Sequence, residues 1–144
     1  MIKLIILGNP QPKQSARFYR TNGFIRSYQP KKITDWVAQA RFQIEAQIYE
    51  LKKTEGLSFP LDGEIKIKSI SFIFPLLSNC TKKDKELIQS GATIYKNTKP
   101  DLDNLQKLTY DSCNKLLWID DARIVEIGKI SKIFGLEPRI EIEI

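Results

Sequence analysis

Histidine is absent from this chain of 144 residues. Zinc sites built on imidazole, Ser-His-Asp and Cys-His nucleophile systems, and nucleases with a histidine base are all excluded with it. No GxxxxGK or GxGxxG segment occurs, so the glycine-rich loops that cradle nucleotide phosphates are missing and no nucleotide cofactor is expected. Two cysteines, Cys80 and Cys113, stand far apart; they suggest no disulfide framework and suit a reducing cytoplasm. No run of about 18 apolar residues could span a membrane. The apolar start Ile2–Leu7 lacks the small-residue cleavage site of a secretory leader and reads as a first strand. Any catalysis must rest on carboxylates and lysines, with or without a metal ion.

What is present describes one folded domain over residues 1–144. The chain is 42% hydrophobic and 28% charged, too apolar for disorder. Its net charge of +6 is unevenly spread. Residues 1–60 hold ten Lys/Arg and four Asp/Glu, whereas residues 61–144 hold thirteen of each. Lys13, Arg17, Arg20, Arg26, Lys31 and Lys32 follow one another without an intervening acid, interleaved with Phe18, Tyr19, Phe24 and Tyr28. Basic groups release counterions from phosphates and aromatic faces stack on bases, so this composition suits a nucleic-acid surface. A solvated basic hairpin that binds nothing has the same composition.

Periodicity outlines the elements. Residues 2–8 form a strand that ends at Gly8-Asn9-Pro10, and Thr21-Asn22-Gly23 joins two short strands as a hairpin. Between Ile33 and Lys53, Trp36, Val37, Ala40, Ile44, Ile48 and Leu51 recur at spacings of three and four, the stripe of an amphipathic helix. Residues 64–74 alternate as a strand whose C-terminal end carries apolar residues on both faces. Thr81 caps a short helix over Lys82–Gln89. A polar connector, 92–99, leads to a helix from Asp101 or Asp103 to about Leu117, and strands at 124–134 and 139–144 complete the chain. The expected fold is α/β (α+β): a single two-layer domain, a mixed sheet with about three helices packed on it.

The segment Lys99-Pro100-Asp101-Leu102-Asp103-Asn104-Leu105-Gln106-Lys107, followed by Asp111 and then Asp120-Asp121, carries the chemistry. Pro100 suits a helix's first turn, and Asp101 and Asp103 at that start are favoured by exposed N–H groups and the helix dipole. Lys107 shares a face with Asp103, and Asp111 continues it. Asp120-Asp121 falls in the turn before a strand and reaches the helix start only if the chain doubles back. Phosphodiester hydrolysis needs an activated water and countercharge for an extra-negative transition state. A hard cation such as Mg²⁺, held on carboxylate oxygens, supplies both. The same residues also serve as helix caps, an i,i+4 pair and turn formers.

The combination resembles the RusA family of Holliday junction resolvases. Gly8-Asn9-Pro10-Gln11-Pro12, Tyr28-Gln29-Pro30-Lys31-Lys32 before a long helix, Lys132-Ile133-Phe134-Gly135 and Glu137-Pro138-Arg139-Ile140-Glu141-Ile142 agree in order, so the likeness covers nearly the whole chain. It implies a compact homodimer that resolves four-way junctions by paired nicks with Mg²⁺, Mn²⁺ being the substitute ion, in the cytoplasm of a bacterial host and encoded by a phage or prophage. By the same resemblance Asp101, Asp103 and Asp121 are metal-binding and catalytic, Lys107 is the catalytic lysine, and Asp120 and Asp111 are secondary acids. We assign DNA contacts to Lys13, Arg17, Arg20, Arg26, Lys31, Lys32, Lys99 and Lys132. Arg123 departs from the pattern, which has glutamine after the acidic pair. Two alternatives use the same residues: a non-catalytic DNA-binding protein that keeps the fold, and a nuclease for other branched DNA.

Overall fold

A computed structural model describes all 144 residues. Strand β1 (Lys3–Leu7) opens the chain, and an antiparallel hairpin follows, β2 (Arg17–Thr21) and β3 (Phe24–Tyr28). The long helix α1 (Lys31–Glu55) leads to β4 (Ile65–Pro75) and α2 (Lys82–Gln89). Helix α3 (Leu102–Cys113), a 3₁₀ turn (Asp121–Arg123), β5 (Ile124–Gly135) and β6 (Arg139–Glu143) complete it. The expected α+β class is correct. The main sheet has the order β1-β6-β4-β5, with β4 and β5 parallel and the other pairs antiparallel. The hairpin does not join it and forms a two-stranded sheet of its own.

The core lies between this sheet and the helices α1 and α3. Ile44 and Ala40 from α1 and Leu105 from α3 meet Leu4, Ile6, Ile70, Phe72, Ile140 and Ile142, all within one cluster. As the apolar residues on both faces of its C-terminal end predict, Phe72, Ile73 and Phe74 of β4 are buried in succession, whereas Lys66 and Lys68 nearer its start are exposed. By contrast, α2 buries no residue. Its ends are fixed locally by a capping box between Thr81 and Asp84.

Edge strand β1 would leave unpaired backbone groups on its outer side. Helix α1 supplies their partners. Gln47 accepts from the Ile5 N–H at 2.8 Å and donates to the Ile5 carbonyl at 2.6 Å. Gln43 does the same for Leu7, at 2.7 and 3.2 Å. Two glutamines thereby stand in for a missing strand and fix α1 against the sheet.

Helix α1 runs two residues further at each end than the Ile33–Lys53 stripe, from Lys31 to Glu55. Helix α3 ends at Cys113, short of the expected Leu117. Asn114 is extended, with ψ 134°, and Lys115 is left-handed, with φ 69°. The Arg41 guanidinium donates to the carbonyls of Ser112 and Asn114, both at 3.0 Å, and so satisfies groups at the helix end. The tight reversal that follows brings Trp118 back onto Tyr110, ring centroids 5.9 Å apart.

On the other side of the sheet's centre, β5 crosses β4 closely. A Cβ on Gly128 would stand 2.6 Å from the Lys68 carbonyl oxygen, so the backbones must separate to admit one. Gly128→Ala is expected to cost about 1–3 kcal/mol, the range for overpacking a tight contact. Urea unfolding measures it; an unchanged midpoint would mean that β4 and β5 part without strain.

Candidate active site

Helix α3 sorts its side chains by face. Leu105, Leu108, Thr109, Ser112 and Cys113 are buried, and the Thr109 and Ser112 hydroxyls donate to the carbonyls four residues back, both at 2.8 Å. Burial so complete on one side forces Asp103, Lys107 and Asp111 outward on the other, where all three are exposed. Burial pushes the Cys113 thiol up to about 12, so it offers no thiolate nucleophile.

At the helix start, Asp101 occupies the N-cap position but makes no side-chain capping hydrogen bond. It is exposed and has no ion-pair partner. Its carboxylate is therefore free of the structural duty that its position suggests. Asp103 lies in the first turn, and its carboxylate is 3.8 Å from the Lys107 ammonium. Both side chains are more than half exposed, so the pair adds only a few tenths of a kcal/mol to the helix.

The connector before Asp101 is held by Lys132. Its ammonium donates to the carbonyl of Thr98 at 2.5 Å and to that of Pro100 at 2.7 Å. Backbone bonds from Lys96 to Lys132 and from Phe134 to Ile94 lay the same connector along β5. Lys132, one of the candidate DNA contacts, thus fixes the backbone leading into the acidic helix. Lys99 beside it is exposed.

The second acidic group lies at the other end of α3. Asp120 accepts from the Ala122 N–H at 2.8 Å and caps the 3₁₀ turn. That bond, more than any other influence, holds its carboxyl below the usual carboxylate value. Asp121 is half-buried, and its carboxyl is raised, first by burial and then by the neighbouring Asp120 and the charge of Asp111. The Asn114 side chain opposes the rise. Asn114 accepts from the Trp118 indole N–H at 2.8 Å, so the residue that ends α3 also anchors the fold-back that leads to Asp121. The Tyr110 phenol forms part of the same surroundings and accepts from Gln106 at 3.0 Å; burial raises its pKa above the usual phenol value.

Asp101 and Asp103 thus mark one end of α3, with Asp111, Asp120 and Asp121 at the other. Eight residues of helix separate Asp103 from Asp111, about 12 Å along the axis. No three acidic side chains come together in a group able to hold an ion by themselves. The chain reversal that would bring Asp121 to the helix start returns it to the helix end. The donor chemistry nevertheless fits Mg²⁺, which takes one or two carboxylates and keeps water or substrate phosphate oxygens in its other positions.

The basic N-terminal segment borders this surface. The Lys13 N–H donates to the Asn104 carbonyl at 2.9 Å, and its ammonium pairs with Asp111 at 2.9 Å. Lys13, Gln29 and Asp111 line one shallow cleft, which places the base of the hairpin beside the acidic helix. Arg17, Arg20, Arg26 and Lys32 are exposed and have no acidic partner, whereas Lys31 pairs with Asp35 at 3.5 Å. Sequence reasoning did not single out Arg41, Asn114, Tyr110 and Trp118. The only local hint was the asparagine near the helix end. Arg123 forms an ion pair with Asp62 at 3.5 Å, tying the 3₁₀ turn to the loop before β4.

Exposed carboxylates on a rigid helix, flanked by unpaired arginines and without histidine, describe a protein that handles DNA phosphates. Sequence comparison makes the class definite: residues 8–144 match the family Endodeoxyribonuclease RusA. The chain belongs to the RusA endodeoxyribonuclease family. It is also similar to the Uncharacterized protein YqaN of Bacillus subtilis (strain 168), 28% identical over 144 residues, covering 99% of this chain and 94% of the relative. No helix is long and apolar enough to cross a membrane.

The raised carboxyl of Asp121 has a consequence for stability. Its ionisation is less favourable in the folded chain than in the unfolded one, so stability falls as pH rises through and above the ordinary carboxylate value. Asp121→Asn removes that ionisation. Without divalent ions, the variant is expected to melt roughly one to a few degrees higher than the parent at pH 7, the gap closing towards pH 3. Equal melting temperatures across that range would show that Asp121 is not under the strain described.

Proposed function

We propose that this protein is a Mg²⁺-dependent endodeoxyribonuclease that resolves four-way DNA junctions by paired nicks, acting as a homodimer. The observation that supports this most is the exposed carboxylates of α3, with Asp101 unpartnered and Asp103 only loosely paired to Lys107, beside the acid-free basic segment. Carboxylates repel DNA unless a cation intervenes, so a protein that only bound DNA would gain nothing from leaving Asp101 unpartnered beside its basic surface. Family membership supplies the activity class; the junction, the metal and the dimer are our reading. A two-fold dimer matches the two symmetry-related scissile phosphates of a junction.

Asp101 and Asp103, at the start of α3, would hold the metal, which when bound would supply countercharge for the phosphorane-like transition state and acidify a water; Asp121, at the other end of the helix, would be a separate acidic position of the same surface. The chain's own residues do the rest. Lys107 holds its ammonium one turn from Asp103, where it can release that carboxylate and take a phosphate oxygen. Lys132 fixes the backbone before Asp101, and Asn114 anchors the fold-back that leads to Asp121. Arg17, Arg20, Arg26, Lys13, Lys31, Lys32 and Lys99 contact phosphates, which position a duplex without reading its sequence. Asp111 and Asp120, already engaged with Lys13 and the Ala122 N–H, shape the local field.

Asp103→Asn keeps shape and removes one charge. We expect it to bind a four-way junction as tightly as the parent or tighter, while cleavage falls on the order of 100-fold or more. Parallel gel-shift and cleavage assays on one labelled junction measure both. Cleavage near the parental rate would remove Asp103 from the machinery.

A further inference from the structure

The hairpin β2–β3 is the most exposed apolar feature of the molecule, and the core does not use it. Phe24 is 69% exposed, Tyr19 47% and Tyr28 46%, while Phe18 and Ile25, also exposed, lie on the opposite face. Pairing of Arg17 with Tyr28, Tyr19 with Arg26 and Thr21 with Phe24 puts these six side chains on one face of the ribbon. That face therefore presents Tyr19, Tyr28 and Phe24 together with Arg17 and Arg26. Tyr19 and Tyr28 pack edge-to-face, centroids 5.8 Å apart, so the aromatic surface is preorganised. The first acid in the chain is Asp35, beyond the hairpin.

We propose that this face is a stacking platform for unpaired or unstacked bases at the branch point of the DNA substrate, a role that rests on the DNA reading above. A platform needs flat π-surfaces offered to solvent, cations spaced between them for the flanking phosphates, and no carboxylate on the same face. All three conditions are met on one side of one hairpin. A fully paired duplex hides its base faces, whereas a branch point exposes them, so the platform favours branched over linear DNA. Its place beside the Lys13–Asp111 cleft puts a captured branch next to the acidic helix. Arginines at alternate positions make a second copy of this positively charged face a poor partner, which favours DNA as its occupant.

The test compares two double variants of the full chain, Tyr19→Val/Tyr28→Val and Tyr19→Phe/Tyr28→Phe. Both keep residues of high strand propensity, and only the second keeps the rings. Affinity is measured for a four-way junction and a linear duplex, with 2-aminopurine at the branch point as a fluorescent report of stacking. The expected result is that the valine pair loses roughly tenfold or more in junction affinity and the protein-induced 2-aminopurine change, with duplex affinity unaltered. The phenylalanine pair should retain both. Equal losses on junction and duplex, or no loss on either, would overturn the platform while leaving the DNA reading intact. A valine pair that binds DNA normally but changes oligomeric state would overturn it in favour of a hairpin that docks a second copy. Failure of the parent protein to bind either DNA would instead remove the reading on which the platform rests.

Discussion

Everything functional in this structure follows from the one-sided burial of helix α3. Leu105, Leu108, Thr109, Ser112 and Cys113 are locked against the sheet and α1, which leaves the helix no freedom to rotate. The outward line of Asp103, Lys107 and Asp111 is thereby fixed as firmly as the core itself. Hydroxyls bonded back to their own helix let Thr109 and Ser112 be buried without unsatisfied groups. A polar surface built on such an element needs little reorganisation when charge develops on a bound phosphate.

The supports at the two ends of the helix differ in kind. Lys132 reaches from β5 to clamp the carbonyls before Asp101, and Arg41 reaches from α1 to clamp those at the C-terminal end. Each uses a cation on backbone oxygens, so neither neutralises a carboxylate of the site. The acidic side chains are left to one another, to Lys13 and Lys107, and to whatever cation arrives. Burial and the neighbouring acids at Asp121 are the local cost of that arrangement, which a bound metal would relieve.

Much of this could be read from the residues in order. The apolar stripe of α1, the alternation of β4, the Asn-Gly hairpin and the Thr81 cap are local signals, and the elements stand where those signals put them. The acidic constellation was also legible, because a proline followed by two aspartates at a helix start is a sequence-local pattern. What escaped depends on partners far along the chain. Arg41 meets Ser112 across 71 positions, and Lys132 meets Pro100 across 32. No periodicity encodes such pairings, which is why the clamp by Lys132 was not legible and α3 read as four residues longer. The return of Asp121 to the end of α3 depends on the left-handed Lys115 and the fold-back of Trp118, again a tertiary matter. The separation of the hairpin from the main sheet, which leaves nearly all of its residues exposed, was likewise not legible, because a hairpin signal does not say which sheet it joins.

The central claim is that these carboxylates serve metal-dependent cleavage of branched DNA. The most direct measurement is incubation of the protein with a mobile four-way junction and a matched linear duplex, with and without Mg²⁺. The account predicts Mg²⁺-dependent symmetric nicks in the junction and none in the duplex. Tight junction binding with no cutting in Mg²⁺ or Mn²⁺ would contradict it and return the aspartates to capping and pairing roles.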